Sequence, residues 1–392
     1  MPAKDITLRV ANAIGDVAAE AWDACANPAS ENGPFSDYNP FISHDFLSSI
    51  EQSGSARNRS GWQPMHLLAE APGGRLIGCV PCYAKSHSQG EYVFDHGCAD
   101  AYERAGGSYY PKLQVAVPFT PARGRRLLVR PAANAEVVRG LLADGLAEVC
   151  RHSNTSSVHV TFPTEEEWQF LGTRGYLQRT HRQFHWANAG YATFDDFLAT
   201  LASRKRKTIR RERTDAVESG ITLHQLTGSD LTESVWDVFF EFYMETGSRK
   251  WGRPYLTRSF YSIVGEKMAD RILLVMAKRN GQWIAGAINF IGSDTLFGRH
   301  WGCAEHHPFL HFEVCYYQAI DYAIAHKLTY VEAGAGGQHK ISRGYMPVTT
   351  YSAHYIADPA LHRAIADFLT QERAHVAAEV DELAETSPYR KG

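Results

Sequence analysis

The sequence lacks any apolar run that approaches the ~20 residues of a membrane-spanning helix. Its first residues show no apolar stretch behind a basic start, so no signal peptide is predicted. Neither sign of charge dominates, because 40 Lys and Arg oppose 43 Asp and Glu and leave a net charge of −3. This balance excludes bulk attraction to nucleic acid or anionic lipid, although local patches can still act. We therefore expect a cytoplasmic protein and leave peripheral contact with the inner face of the cell membrane open.

Cysteine is also scarce. Seven scattered cysteines in 392 residues are an odd number and favour reduced thiols over a disulfide framework. Cys79 and Cys82 have C-x-x-C spacing, but no second pair completes four zinc ligands and no helix follows to support a redox site. We predict no metal site and expect both thiols to lie in a buried strand.

The sequence does contain an internal repeat. Its length is too great for one ordinary core, and its composition, 44% hydrophobic and 21% charged, is typical of globular proteins. Residues 67–83 and 273–289 each have the pattern of an apolar strand, a tight Gly-containing turn and a second apolar strand. A polar turn then leads to a third predicted strand, at Glu91–Asp95 in the first copy and Thr295–Arg299 in the second. Both copies next reach the tripeptide Gly-Cys-Ala.

The order of predicted elements continues downstream in both copies. Helical periodicity covers residues 135–150 and 312–325, and β-branched runs follow at 157–162 and 328–332. A short helical segment and a last strand end each copy. The predicted fold class is therefore α+β, with two tandem units that contain mixed sheets.

Two further signals complete the predicted organisation. Thr193 and Asp196 form a capping-box variant, which indicates a helix start just after the boundary between two domains. We predict domains at residues 1–190 and 191–392. Apolar residues at helical spacing over 359–385 predict a long C-terminal amphipathic helix.

This order of elements resembles the acetyltransferase (GNAT) fold, in which a meander leads to a helix that faces the phosphates of an acyl carrier. Two such units in tandem resemble the FemAB-like acyltransferases, and in particular their N-acyltransferase branch. The segments that carry the resemblance are residues 85–95, 109–113, 117–121, 298–303, 310–313 and 332–344. The resemblance implies transfer of an acyl group to an amine.

An amine that attacks a thioester needs a base, a donor for the oxyanion and a cradle for the phosphates of the acyl carrier. The sequence has no G-x-S-x-G nucleophile elbow, which fits direct transfer. An imidazole, with an ordinary pKa of about 6.5, suits removal of a proton from an ammonium. Three residues of the resembling segments are the catalytic candidates: His311, Glu313 and His339. For each one, an ordinary core or surface polar group is the alternative.

A basic turn at Thr120–Arg126 resembles a degenerate pyrophosphate loop that has lost two of its glycines. A solvated loop is the alternative. A second glycine-rich turn, at residues 334–337, precedes two cations that suit phosphate or carboxylate. The predicted donor-binding residues are Arg123, Gly124, Arg125, Arg126, Lys340 and Arg343.

Seven basic residues lie within Ser203–Arg213. Contact with coenzyme A or tRNA phosphates, a foothold on an anionic membrane and a solvated helix face are three open interpretations. The density of charge favours an anion role. Polar and aromatic residues of the resembling segments are the candidates for substrate contact: Lys85, His87, Tyr110, Lys112, Arg299 and Trp301.

The expected function is transfer of a long-chain acyl group from acyl-CoA, as co-substrate, to a primary amine, with no permanently bound cofactor. Bacterial ceramide synthases resemble this branch, so the acceptor lipid is expected to be a sphingoid base (3-oxosphinganine or sphinganine) of sphingolipid biosynthesis. The alternative is an aminoacyl-tRNA-dependent enzyme that forms a peptidoglycan-related amide. A third hypothesis is a protein that binds a peptidoglycan or lipid ligand without turnover.

Overall fold

The structure is a computed structural model that describes residues 5–29, 37–132, 134–250 and 254–390. The chain forms two compact units that interleave along the sequence. Unit 1 comprises residues 1–181 and 349–379, and unit 2 comprises residues 182–348 and 380–392. The division into two GNAT-like domains between residues 190 and 191 stays a prediction.

Unit 1 is built from short strands and helices. In chain order they are β1 (Thr7–Ala11), α1 (Ala19–Ala26), α2 (His44–Gln52), β2 (Trp62–Pro64), β3 (His66–Ala71), β4 (Arg75–Val80), β5 (Cys82–Lys85), α3 (His96–Arg104), β6 (Lys112–Val115), β7 (Leu128–Val129), α4 (Ala135–His152), β8 (Ser157–Thr161), α5 (Glu165–Thr173) and the start of β9 (Leu177–Ala187). Cys79 and Cys82 are buried, as expected, but the single predicted strand is divided at Pro81 into β4 and β5, which belong to different sheets.

Unit 2 takes up the end of β9 and most of the second half of the sequence. Its elements are α6 (Phe194–Thr200), α7 (Ser203–Val217), β10 (Thr222–Leu226), α8 (Glu233–Lys250), α9 (Arg258–Met268), β11 (Ile272–Arg279), β12 (Gln282–Ile291), β13 (Thr295–Cys303), α10 (Leu310–Phe312), a π-helical turn (Glu313–Tyr317), α11 (Gln318–Ala325), β14 (Tyr330–Glu332), a 3-10 helix (Gln338–Arg343) and the start of β15 (Met346–Ile356). The last helix, α12 (Pro359–Glu385), begins in unit 1.

The strands of unit 2 lie in one sheet, whereas those of unit 1 lie in two. In unit 2 the strand order is β10-β11-β12-β13-β14-β9, and in unit 1 strands β2, β5, β6, β8 and β15 follow one another while β1, β3, β4 and β7 form a second sheet. Most pairs are antiparallel, but β6 with β8 and β13 with β14 are parallel. The predicted α+β class with mixed sheets and a C-terminal helix is confirmed.

Each unit receives its last strand from the other half of the sequence. Residues 185–187 of β9 pair with β14 in unit 2, and residues 352–356 of β15 pair with β8 in unit 1. The predicted last strands therefore exist, but they are exchanged. Hydrophobic periodicity reports which face of a strand is buried and carries no information on its partner, so the sequence does not reveal this exchange.

Local signals account for the hairpins and the helix start. Asn280 and Gly281 both have positive φ, 49° and 80°, as a two-residue turn between β11 and β12 requires. The Thr193 hydroxyl accepts a hydrogen bond from the Asp196 N–H, and the Asp196 carboxylate accepts one from the Thr193 N–H. α6 thus starts at the predicted capping box.

The third strand predicted for the first copy is wrong. Residues 91–95 form no strand, α3 follows directly, and β6 pairs with β5 instead. The alternating pattern of residues 91–95 has another cause, because Glu91 and Asp95 turn inward and bind the ammonium of Lys112. Tyr92 lies in the left-handed region, with a φ of 58°, which breaks the extended backbone.

Both cores lie between a sheet and the helix that follows the meander. In unit 1, Val138, Leu142 and Leu146 of α4 pack in one apolar cluster with β3 and β4. In unit 2, Val314 of the π-helical turn packs in one apolar cluster with β11, and Ile320 of α11 belongs to the same cluster, where α11 contacts β13 and β14. No helix among the described residues combines the length and the apolar character needed to cross a membrane.

Candidate active site

The parallel strands β13 and β14 of unit 2 separate soon after they meet. They pair over Thr295–Phe297 and Tyr330–Glu332, after which β13 continues to Cys303. The chain beyond β14 turns away through Gly334, Gly336 and Gly337, which all have positive φ. We call the gap bounded by residues 298–303 and 333–339 the fork. Backbone groups that leave a ladder in this way become available to a ligand.

Aromatic and imidazole side chains meet around the fork. Trp301 comes from β13, His339 from the segment after β14, and His311 and Tyr316 from the helical segment between them. The His311 ring lies 5.2 Å from Trp301, 5.4 Å from Tyr316 and 6.3 Å from His339, measured between ring centroids. The structure therefore brings together two of the three predicted catalytic residues and one predicted substrate contact.

Tyr316 and His339 share a hydrogen bond. The phenol oxygen lies 2.9 Å from Nε2 of His339. Burial raises the pKa of the Tyr316 phenol, so the hydroxyl stays protonated. His339 is exposed and His311 is half-buried, so both imidazoles are reachable from solvent. The sequence identified Tyr316 only as one of many aromatic residues.

Glu313 lies in a different network. Its carboxylate accepts hydrogen bonds of 3.1 and 3.0 Å from Arg213 of α7 and one of 2.9 Å from Gln318. Burial raises the pKa of Glu313, and the Arg213 guanidinium opposes this shift. Asp321 binds the same guanidinium at 2.6 Å. The predicted catalytic role of Glu313 stays a prediction, while its observed contacts connect α7 to α11.

Arg343 connects the fork to a cavity of about 390 Å³. Its guanidinium donates to the His339 carbonyl at 2.8 Å and to Glu212 at 2.7 Å, and it stacks 3.4 Å from the centre of the Phe312 ring. The cavity is lined by Arg204, Lys205, Thr208, Ile209, Glu212, Ser342 and Arg343. The basic helix and the predicted donor residue Arg343 thus border one space.

Lys340 is buried and holds the backbone of the glycine-rich turn. Its ammonium donates to the carbonyl oxygens of Ala333 at 2.7 Å and Gly334 at 3.0 Å. Burial lowers the pKa of Lys340 to about 8. These bonds fix one side of the fork. Arg299 and Trp301, the predicted substrate contacts of β13, are half-buried on the other side.

The predicted phosphate loop of unit 1 is filled by groups of the protein itself. The Arg126 guanidinium, 1% exposed as a residue, donates to four backbone carbonyls, those of Ala122, Gly124, Arg125 and Thr161. The backbone N–H groups of Arg126 and Leu127 donate to the Glu167 carboxylate at 2.8–3.0 Å. The Gly124 N–H donates to the Phe162 carbonyl.

The position of this loop also differs from the prediction. The loop does not lead directly into a helix, because β7 intervenes and α4 begins at Ala135. Arg125 donates to the Ala26 carbonyl, and the Arg123 carbonyl accepts from Asn39. A phosphate would need the polar groups of this loop. Those groups are already hydrogen-bonded to carboxylate, guanidinium and carbonyl groups of unit 1. Sequence alone did not identify Glu167 as their partner.

Four predicted substrate contacts share one buried network in unit 1. Lys85 lies 3.4 Å from His87 Nδ1 and 3.8 Å from the centre of the Trp62 ring, and burial lowers its pKa to about 7. The Ser88 hydroxyl accepts a hydrogen bond of 2.7 Å from the Lys112 ammonium, and it lies 2.8 Å from the Tyr110 hydroxyl.

The same network contains residues that the sequence did not single out. Lys112 donates to Glu91 at 2.8 Å and to Asp95 at 2.5 Å. Tyr109 donates to Asp95, and its oxygen lies 3.3 Å from His159, which is hydrogen-bonded to His354. No periodic or motif signal links His159 to a histidine 195 residues later.

Comparisons with known proteins identify the family and the fold. A family model named FemAB-like, described as peptidoglycan biosynthesis or recognition, matches residues 13–391. No curated protein matches the sequence. The structure of FemX aligns with a TM-score of 0.56 at 10% identity, over 89% of this chain and 98% of that chain.

Two more solved structures align at low identity. The C-terminal domain of a protein assigned as a lysylphosphatidylglycerol synthetase from Agrobacterium fabrum has a TM-score of 0.53 at 8% identity, over 89% of this chain and 96% of that chain. A conserved protein of unknown function from Bacteroides thetaiotaomicron has a TM-score of 0.51 at 12% identity, over 89% and 100%. At these identities the likeness concerns the fold.

Proposed function

The chain belongs to the FemAB-like family and is an acyltransferase that forms amide bonds, and from this premise we propose that it transfers a long-chain acyl group from acyl-CoA to a primary amine. The acceptor we propose is an amphipathic amine of the sphingoid-base type. The observation that carries the proposal is the hydrogen-bonded Tyr316–His339 pair in the fork, beside His311. These side chains offer an acid and a base where two strands leave room for a substrate.

The reaction that fits these groups is a direct transfer. The amine nitrogen forms a bond to the thioester carbonyl carbon, and its proton passes to the imidazole of His311 or His339. The C–S bond then breaks, and the departing thiolate of coenzyme A takes the proton back from the imidazolium. Tyr316, whose raised pKa keeps it protonated, is the O–H donor that stabilises the oxyanion.

Four more of the predicted residues receive positioning roles in this proposal. Lys340 fixes the turn that carries His339, and Arg343 binds the His339 carbonyl. Arg299 and Trp301 border the fork from β13, where an acceptor would lie. In unit 1, Lys85, His87, Tyr110 and Lys112 belong to one polar network, and their role in substrate contact stays a prediction.

Thiol release tests the proposed reaction. Purified protein is mixed with acyl-CoAs of increasing chain length, with and without a long-chain amino alcohol or amino ketone. We expect release of coenzyme A that depends on the acceptor and rises with acyl chain length, together with the amide product by mass spectrometry. Release without acceptor would indicate hydrolysis, and no release with any chain length would refute acyl-CoA as the donor.

The second candidate is an aminoacyl-tRNA-dependent transferase, which the family description of peptidoglycan biosynthesis favours. The chemistry at the fork is the same, because an ester carbonyl replaces the thioester. Loss of activity after ribonuclease treatment distinguishes this donor, since coenzyme A esters survive the treatment.

A further inference from the structure

The cavity beside the fork has an excess of positive charge. Arg204, Lys205 and Arg343 line it, and Glu212 is its one acidic side chain among the lining residues. The Glu212 carboxylate is already engaged, by Arg343 on one oxygen and by the Tyr317 hydroxyl on the other. The space therefore presents more cationic charge than the surrounding protein neutralises.

The placement of these cations is unfavourable without an anion. Arg204 and Lys205 lie in the first turn of α7, which has 15 residues, and that turn contains no acidic residue. The amino end of a helix carries a partial positive charge, so cations in the first turn destabilise the helix unless an anion binds there. Other arginines of the helix have carboxylate partners: Arg210 pairs with Asp195, and Arg211 with Asp215.

Arg343 provides an independent indication of a ligand. The residue is 6% exposed, lines the cavity, and makes hydrogen bonds through both terminal nitrogens of its guanidinium. Its Nε is buried and has no hydrogen-bond partner among the described residues. Arg343 therefore has a buried donor that the described residues leave unpaired, and the same side chain borders a cavity lined by two further cations.

We propose that this cavity binds phosphate groups of the acyl donor, with Arg204 and Lys205 as flexible cations and Arg343 as the fixed donor. The assignment of that phosphate to coenzyme A depends on the proposed function. Arg343 also binds the backbone of His339, so an anion held here would sit next to the segment that carries the imidazole. Ser342 and Thr208 supply hydroxyl groups at the rim.

Calorimetric titration of the full chain tests the site without turnover. The probes are coenzyme A, 3′-dephospho-coenzyme A and inorganic pyrophosphate, against the wild type and the double variant R204Q/K205Q. We expect the Kd of coenzyme A to rise at least about tenfold in the double variant, since each charge-assisted hydrogen bond contributes about 1.5–3 kcal/mol. Raising the salt concentration should weaken coenzyme A binding by the wild type more than it weakens binding by the variant.

Lys207→Gln is the matched control, because Lys207 lies on the same helix, is exposed and does not line the cavity. The Kd of the Lys207→Gln variant for coenzyme A should equal that of the wild type. Equal affinity of the double variant and the wild type for coenzyme A would overturn the proposal, as would a wild type that binds none of the three probes.

The same variants separate this proposal from the proposed function. A wild type that binds coenzyme A through these residues but transfers no acyl group would keep the phosphate site and refute the acyl-CoA reaction. Transfer by R204Q/K205Q with an unchanged KM for acyl-CoA would keep the reaction and refute the site. Melting temperatures without ligand show whether each variant is folded, which is expected because Arg204 is exposed and Lys205 half-buried.

Discussion

His311 and Glu313 are separated by one residue, yet their side chains join different networks. His311 faces the aromatic rings of the fork, whereas Glu313 is buried against Arg213. Positions i and i+2 point to different sides of a helix, so the two could not both face one cleft. The hydrogen bonds from Arg213 and Gln318 hold the Glu313 carboxylate in its own network, and burial there raises the pKa of Glu313.

Tyr316 is the residue whose removal best tests the proposed chemistry. Tyr316→Phe keeps the ring in the cluster and deletes the hydroxyl that binds His339. We expect kcat to fall by about 10²-fold or more, as for loss of an oxyanion donor, with little change in KM.

The measurement is steady-state thiol release, with His339→Gln as a second variant and His326→Gln as a control. The His326 ring stacks on Tyr322, outside the fork. A Tyr316→Phe protein with wild-type kcat would exclude the hydroxyl from the reaction.

Among elements, the segment after β5 shows how a buried polar network replaces a strand. Glu91 and Asp95 are buried and both bind the Lys112 ammonium. Burial by itself would raise the pKa of Asp95, but Lys112 outweighs burial and holds that pKa below its ordinary range. Because the pKa is depressed, the stabilisation is present above the pKa of the unfolded Asp, about 3.9, and is lost as the pH falls further.

Replacing Lys112 tests how much this network contributes. Lys112→Met leaves two buried carboxylates without their shared cation. We expect the free energy of unfolding at pH 7 to fall by about 3–5 kcal/mol, the usual cost of breaking a buried ion pair.

Urea denaturation gives this value, and Lys327→Met, at the end of α11 in unit 2, serves as an exposed control. A loss below about 1 kcal/mol, the range of surface pairs, would show that the network is not structural.

The basic helix α7 also combines two functions that composition cannot separate. Arg213 holds Glu313 and Asp321, and Arg206 donates to the Leu201 carbonyl. Arg204 and Lys205 instead face the cavity. A count of seven cations predicts an electrostatic role, but only their positions show which of them stabilise the unit and which can contact a ligand.

Because the last strands are exchanged, unit 1 is complete only when a strand from near the end of the sequence has joined it. β8 is buried throughout and pairs on one side with β15, which lies almost 200 residues later. A chain cut at the predicted boundary would leave that edge of β8 unpaired.

A truncation tests whether residues 1–190 form an independent domain. We expect residues 1–190 alone to be insoluble or partly unfolded by circular dichroism, because β8 lacks its partner. Residues 1–190 joined by a flexible linker to residues 349–379 should recover a cooperative thermal transition. A cooperative transition of residues 1–190 without that addition would support the predicted domain and contradict this expectation.

The sequence by itself determined the α+β class, the repeated hairpins, the helix after each meander, the capping box at Thr193 and the C-terminal helix. These features depend on periodicity and turn chemistry, which are local properties of the chain. It also identified His311, His339 and Arg343 as candidates. The tertiary structure then brought them to one fork and its cavity.

Only the tertiary structure decided which strands pair, which cations have partners, and which polar groups are already satisfied. Glu167 fills the loop at Arg126, Arg213 pairs with Glu313, and β9 and β15 exchange places, each through contacts between residues far apart in sequence. The energy of such contacts depends on burial and geometry in the folded chain, and a short stretch of sequence specifies neither. For that reason the fold class followed from the sequence, whereas the composition of the site followed from the structure.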